Sequence, residues 1–197
     1  MVRAVSRETE ERLARYLECL RRWNPTINLM SARDVSEVWS RHIADGLAIA
    51  SLLAERPGTV ADLGSGAGIP GLVAAIVTER VITLVESDRR KAAFLVEAAR
   101  VSDAAVIVKS VRVEQSGLAN LAVVTARALA PLTRLLALTR PLLEPGGCAY
   151  FIKGTDADKE ILDAQRHFDF ALTRHQLHGS IVLEVSSIEP IQCPPAS

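Results

Sequence analysis

Four of the chain's 11 glycines fall inside eight residues: Gly64, Gly66, Gly68 and Gly71. They stand directly behind the apolar run 59–63 and lead, through Ile69 and Pro70, into a second apolar run. Glycine supplies the positive φ of a tight turn and lets a ligand approach the backbone closely. Pro70 suits the first turn of a helix, where its missing N–H costs little. The helix start then turns N–H donors toward whatever lies in front of the loop. A strand, a glycine turn and a helix in that order predict a parallel βαβ unit.

The rest of the chain agrees with that prediction. Strand candidates lie at 59–63, 81–86, 105–108, 121–126 and 148–153, with helical stretches near 71–79, 89–101 and 132–140. Such alternation predicts an α/β, doubly wound sheet with right-handed crossovers. Glu144-Pro-Gly-Gly147 reads as a turn into the fifth strand. A short polar helix follows Gly154, then strands near 168–173 and 181–186. Ahead of the loop, Leu13, Leu17 and Leu20 mark one face of a helix over 8–23, which Asn24-Pro25 is expected to end. Trp23 and that leucine stripe read as packing, and the arginines of the helix as a candidate outward surface. Asp34 and Glu37 resemble the capping box of a second helix, carrying Trp39, His42 and Ile43 on its apolar face to about Leu53. The expected layout is one domain over 1–197, with a helical cap (1–56), a core (57–190) and a tail (191–197).

Charge and cysteines narrow the partners. The chain carries 23 Lys/Arg against 23 Asp/Glu, yet residues 154–197 hold only three of those cations and seven of the acids. The body therefore has 20 positive against 16 negative side chains, which suits a local anionic partner. Cys19, Cys148 and Cys193 are scattered, and neither a disulfide framework nor a zinc site is expected. Residues 1–17 lack the apolar core of a secretory signal, and no run of about 18 apolar residues exists to span a membrane. A cytoplasmic location is expected.

The glycine spacing alone admits two ligands. Gly66-x-Gly68-x-x-Gly71 satisfies the dinucleotide fingerprint, and Glu86 lies 20 residues beyond Gly66, where a ribose-binding acid belongs. The frame separates them: Asp62 precedes Gly64 by two residues, an acid-led pattern common in S-adenosylmethionine methyltransferases. A dehydrogenase would also need a second nucleotide half and a substrate domain. Glu86 can accept two ribose hydroxyls, while Arg112, Val113 and Glu114 follow the third strand, where an adenine edge would lie. Arg127 follows the fourth strand and reads as a cofactor- or phosphate-binding group. Arg89-Arg90-Lys91 opens a helix, where cations are slightly unfavourable, and hints at an anionic partner. His42, read from the residues alone, is a packed histidine.

Several stretches together resemble one family, the RsmG (glucose-inhibited division protein B) guanine-N7 methyltransferases of small-subunit ribosomal RNA. They are W-N-P-T-I-N-L-M (23–30), R-H-I-A-D (41–45), D-L-G-S-G-A-G-I-P-G (62–71) and L-V-E-S-D-R-R-K-A-A-F-L (84–95). R-V-E (112–114), A-R-A-L-A (126–130) and I-K-G (152–154) continue the match in order. The chain departs from the family in its Pro-rich end and in the segment 109–112. The resemblance implies a Rossmann-like methyltransferase sheet and S-adenosylmethionine as cofactor. Gly64, Ile69, Glu86, Val113, Glu114 and Arg127 would contact the cofactor, with Ser65, Gly66 and Gly68 completing the loop. His42, Lys91 and Lys153 would face RNA, and the substrate would be a guanine in the decoding-site region of 16S ribosomal RNA, free or within the small subunit.

That chemistry needs no catalytic base. Guanine N7 is an unprotonated acceptor, so positioning in line with the methyl group can supply much of the rate, up to about 7–11 kcal/mol. No catalytic residue and no metal is therefore expected. A small-molecule or protein methyltransferase and a non-catalytic nucleotide-binding regulator remain open alternatives on these residues.

Overall fold

The computed structural model describes residues 5–31, 42–177 and 179–191. At its centre β1 (Val60–Leu63) pairs in parallel with β2 (Ile82–Val85) and with β4 (Leu121–Arg127). β3 (Val106–Lys109) extends the sheet beyond β2, and β5 (Leu143–Lys153) extends it beyond β4. A final hairpin, β6 (Phe168–Gln176) and β7 (Ile181–Pro190), joins antiparallel to β5. The order is β3-β2-β1-β4-β5-β7-β6. The chain thus winds outward from β1 in one direction and returns beside it to wind in the other. Ligands of such sheets bind where the order reverses, at the carboxyl ends of β1 and β4.

Alternating side chains send each strand into two cores. Val60, Ile82, Leu84, Val123 and Ile152 face one side, against helices α1 (Arg7–Ile27), α2 (Ala44–Leu53), α3 (Gly71–Thr78) and α4 (Arg89–Val101). Ala61, Leu63, Val85, Val124 and Phe151 face the other, against α5 (Leu132–Thr139) and α6 (Ala157–Ala164). Among the described residues, no helix is long and apolar enough to cross a membrane.

Helix α1 corrects two expectations. Ser6 caps its start, its hydroxyl accepting the Thr9 N–H. The helix then runs through Pro25 to Ile27 and stops at Asn28, whose φ of 51° is left-handed. Asn24 is what makes the proline tolerable at the end of the helix. Its side chain holds Met30 at both the N–H (2.8 Å) and the carbonyl (3.0 Å), so the turn closes without the lost bond. Of the arginines read as an outward surface, Arg12 is turned inward, whereas Arg7, Arg15, Arg21 and Arg22 stay exposed. Arg12 is buried and donates to the carbonyls of Ser102 and Asp103 and to Glu79, and Arg15 donates to the Val101 carbonyl at 2.7 Å. These are orphan carbonyls at and just beyond the end of α4, and two guanidinium groups satisfy them. The leucine stripe packs as expected, and Trp23 meets Phe94 edge-on with ring centroids 6.0 Å apart.

Glu144-Pro-Gly-Gly147 is an interruption within β5. Leu143 already pairs with Leu121, and the ladder resumes at Cys148 opposite Val123. A side chain at Gly147 would stand 2.8 Å from the Leu121 carbonyl, which explains the glycine there. The proposed cap of the second helix, Asp34 and Glu37, and Trp39, Arg41, Cys193 and the end of the tail lie outside the described residues.

Candidate active site

Four N–H groups of the loop between β1 and α3 are engaged within the protein. The N–H groups of Gly64 and Ser65 both donate to the Val85 carbonyl, at 2.8 and 3.1 Å. The Gly68 N–H donates to the Ser65 carbonyl and the Gly66 N–H to Glu86 Oε2 at 2.8 Å. Gly64 and Gly66 hold φ values of 67° and 50°, left-handed backbone that suits glycine. From the far side, the buried Tyr16 of α1 donates its hydroxyl to the Ala67 carbonyl at 2.7 Å. The cap helix therefore pins the loop, a role the sequence reading did not assign to Tyr16.

Asp62, in β1, is turned toward the start of α3. Its carboxylate is buried against the first residue of α3: a Cβ on Gly71 would lie 2.7 Å from Asp62 Oδ2. Thr125 donates to Oδ1 at 2.6 Å. The acid that leads the glycine pattern thus faces inward, toward the positive end of the helix. A diphosphate at that end of the helix would approach the buried carboxylate of Asp62, and would find the N–H groups of Gly64, Ser65, Gly66 and Gly68 already donating elsewhere.

Burial pushes the Asp62 carboxyl up to about 6, against the pull of Thr125, Ser65 and the Gly71 amide. The folded value lies above the unfolded one of about 4. The associated stability is therefore complete at lower pH and is lost as pH rises through about 6. The loss is on the order of 3 kcal/mol. Asp62→Asn, neutral throughout, should lack this descent. Urea unfolding of the ligand-free protein between pH 4 and 8 should show the variant gaining on the parent up to about pH 6 and then holding level. Parallel profiles would contradict the burial of a charge here.

Glu86, at the end of β2, is buried and uses both carboxylate oxygens. Oε2 accepts from Gly66 and Oε1 from the Asp88 N–H, each at 2.8 Å. An ionised carboxylate has about four lone-pair sites, so both oxygens can still accept a sugar hydroxyl. Beside it opens a cavity of about 370 Å³, bounded by Gly64, Val85, Val113, Glu114, Leu129 and Leu138. Val113 and Glu114 begin a 3₁₀ turn, Val113–Gln115. Val113 is buried, while Glu114 pairs at 3.7 Å with the exposed Arg134 at the rim. Val85, Val111, Val113, Leu129 and Leu138 give the slot apolar surface suited to a flat base, and Val85 and Ser87, the neighbours of Glu86 in the chain, line it too.

Two further cavities adjoin this slot. One, of about 250 Å³, brings together Gly64, Ser65, Gly66 and Ile69 of the loop with His42, Lys91 and Arg127. His42 is buried at its edge, consistent with the packed reading. Arg127, at the end of β4, is held by the buried Asp45 at 3.4 Å, and Ser180 donates to the other oxygen of Asp45 at 2.8 Å. Asp45 ends the R-H-I-A-D stretch, yet only the structure reveals it as the residue that aims Arg127. The other cavity, of about 380 Å³, lies at the carboxyl ends of β4 and β5 and is reached by Arg127, Lys153 and Glu160. Lys153 is not a free surface cation: its ammonium donates to Glu160 Oε2 at 2.7 Å and to the Ala130 carbonyl at 2.8 Å. Gly68 supports the loop from behind, where a side chain would press on Leu72. All twelve residues picked out in the sequence thus lie at or beside one end of the sheet.

Solved structures share this architecture. A ribosomal protein L11 methylase from Lactobacillus delbrueckii subsp. bulgaricus aligns with a TM-score of 0.59 at 18% identity, over 72% of this chain and 75% of that one. Magnesium protoporphyrin IX methyltransferase from Synechocystis PCC 6803, with bound SAM, gives 0.59 at 13% identity, over 94% and 99%. The fold is that of the Rossmann-like S-adenosylmethionine methyltransferases. Within that class, a family model described as rRNA small subunit methyltransferase G (GidB) matches residues 9–184. Ribosomal RNA small subunit methyltransferase G of Gluconobacter oxydans is 49% identical over 190 residues, 95% of this chain and 98% of the relative. The protein of the same name from Granulibacter bethesdensis is 51% identical over 190 residues, 95% of this chain and 89% of the relative. The chain belongs to this family of small-subunit ribosomal RNA methyltransferases.

Proposed function

We propose that this protein transfers a methyl group from S-adenosylmethionine to N7 of a guanine in the decoding-site region of 16S ribosomal RNA, in the cytoplasm. The observation that carries the proposal is a pair of cavities, the 370 Å³ slot and the 380 Å³ cavity, that share Leu129, Ala130 and Pro131 as a common wall. Cofactor and target base need separate seats meeting at one reacting point, and the end of β4 supplies that junction.

Bound in the slot, S-adenosylmethionine would supply an electrophilic methyl group on a positively charged sulfur. Glu86 would accept the ribose hydroxyls, and Val113 and Leu129 would cover the adenine faces. Gly64, Ser65, Gly66, Gly68 and Ile69 would shape the floor. Arg127, steadied by Asp45, stands where a cofactor carboxylate or an RNA phosphate needs a cation. Guanine N7 already presents a lone pair, so these residues have only to bind and align. His42 and Lys153 border the same opening. Lys91 lies in the first turn of α4 and its ammonium has no partner among the described residues, which suits a phosphate contact.

Incubation with methyl-labelled cofactor and deproteinised ribosomal RNA, intact small subunits or total protein tests the reading. Label recovered as 7-methylguanosine in small-subunit RNA is the expected result. Label in protein alone, or none in any fraction, rejects it. Lys91→Ala should weaken RNA binding several-fold and lower the slope of log K against log salt by about one. Cofactor affinity should stay the same. An unchanged slope would remove Lys91 from the RNA surface.

A further inference from the structure

The cavity at the carboxyl ends of β4 and β5 has a polar edge that the methyl transfer itself does not use. Its wall, Leu129 to Pro131, is held by a clip from outside. Glu160 Oε2 accepts both the Leu132 N–H at 2.6 Å and the Lys153 ammonium at 2.7 Å, and Lys153 also donates to the Ala130 carbonyl at 2.8 Å. Those bonds leave Glu160 Oε1 without a partner among the described residues, and they use two of the three ammonium donors of Lys153. An acceptor and a donor therefore stand side by side in the cavity. The turn that leads from β4 into Leu129 to Pro131 is itself unusual, since Ala128 holds a φ of 52°. Non-glycine residues in that region cost free energy and persist where the surroundings fix them.

We propose that this cavity receives the target base, flipped out of its RNA, and that Glu160 and Lys153 read its Watson–Crick edge. The inference rests on the guanine-N7 reading and adds what selects the base. Guanine carries an acceptor, O6, next to two donors, N1–H and the 2-amino group. Lys153 donates to O6, and Glu160 Oε1 accepts from N1–H and the 2-amino group. With that edge held against β5 and α6, N7 is left on the side where the cavity adjoins the cofactor slot, beside Leu129 to Pro131. Adenine meets the same pair with the opposite pattern: its amino group confronts the ammonium, and its N1 lone pair confronts the carboxylate. A site built around buried hydrogen-bonding groups rejects a base that leaves them unpaired far more strongly than an apolar pocket could.

The test uses the full chain and small-subunit RNA assembled with either guanosine or inosine, which lacks only the 2-amino group, at the target position. Single-turnover methylation by the unaltered protein should fall at least tenfold with inosine. E160Q should be at least tenfold slower than the parent on guanosine with cofactor affinity unchanged, and should lose less than threefold further on inosine. A role confined to supporting the wall would slow both RNAs but leave the inosine penalty intact, and that outcome overturns the proposal. Equal rates on guanosine and inosine with the unaltered protein overturn it too, without recourse to any variant. In that case the guanine-N7 assignment stands. Failure to methylate the guanosine RNA at all would reject that assignment and this proposal together.

Discussion

Gly64→Asp should reduce S-adenosylmethionine affinity by at least a hundredfold, a loss of about 3 kcal/mol. Three effects act together at this position. The backbone is left-handed, with φ at 67°, a conformation that costs most side chains about 1–2 kcal/mol. A Cβ there would stand 2.6 Å from Leu129 Cδ1, driving Leu129 across the slot it lines. The new carboxylate would add a second negative charge near Glu86, where a sugar must approach. The first effect lowers stability modestly, whereas the other two act on the ligand. Calorimetric titration should register no binding while thermal unfolding remains cooperative. Affinity within threefold of the parent would remove Gly64 from the cofactor site.

Glu86→Ala should have an effect of similar size by a different route. Its two oxygens hold the Gly66 and Asp88 N–H groups, each at 2.8 Å. Truncation leaves two donors unpaired at a largely buried place, which lowers stability by about 1–3 kcal/mol for each. It also removes the charged acceptor for two ribose hydroxyls, a loss to binding of about 1.5–3 kcal/mol for each bond. Cofactor affinity should fall between about a hundredfold and ten-thousandfold. Glu86→Gln keeps one acceptor oxygen and has to turn its amino group toward one of the two N–H groups, so its loss should be intermediate. Were alanine and glutamine indistinguishable from the parent, Glu86 would be a structural clamp for the loop and nothing more.

What could be read from the sequence depended on distance along the chain. The glycine loop, the alternation of strands and helices, and Glu86 at a strand end all follow from local patterns, and the structure gathers them at one end of the sheet. The residues that aim the site have no such pattern. Ser180 reaches Asp45 across 135 residues, and Tyr16 reaches Ala67 across 51. A buried acid beside a distant arginine looks, in one dimension, like any other Asp. The same limit explains Arg12 of α1, whose spacing suggested a solvent face. It is buried, and one of its partners is the Ser102 carbonyl, 90 residues away. Asn24-Pro25 misled for a local reason: the proline rule describes the backbone alone, and here the Asn24 side chain closes the turn. Position along the sheet also escaped the sequence, because a late hairpin can join on either edge. Here β7 pairs with β5 and leaves β6 outermost.

The buried Asp62 at the start of α3, together with the four engaged N–H groups of the loop, suits a nucleoside without a diphosphate. Calorimetric titration of the unaltered protein with S-adenosylhomocysteine and with NAD tests this directly. The account predicts that the thioether nucleoside binds at least a hundredfold more tightly than the dinucleotide. NAD binding as tightly or more tightly would contradict it.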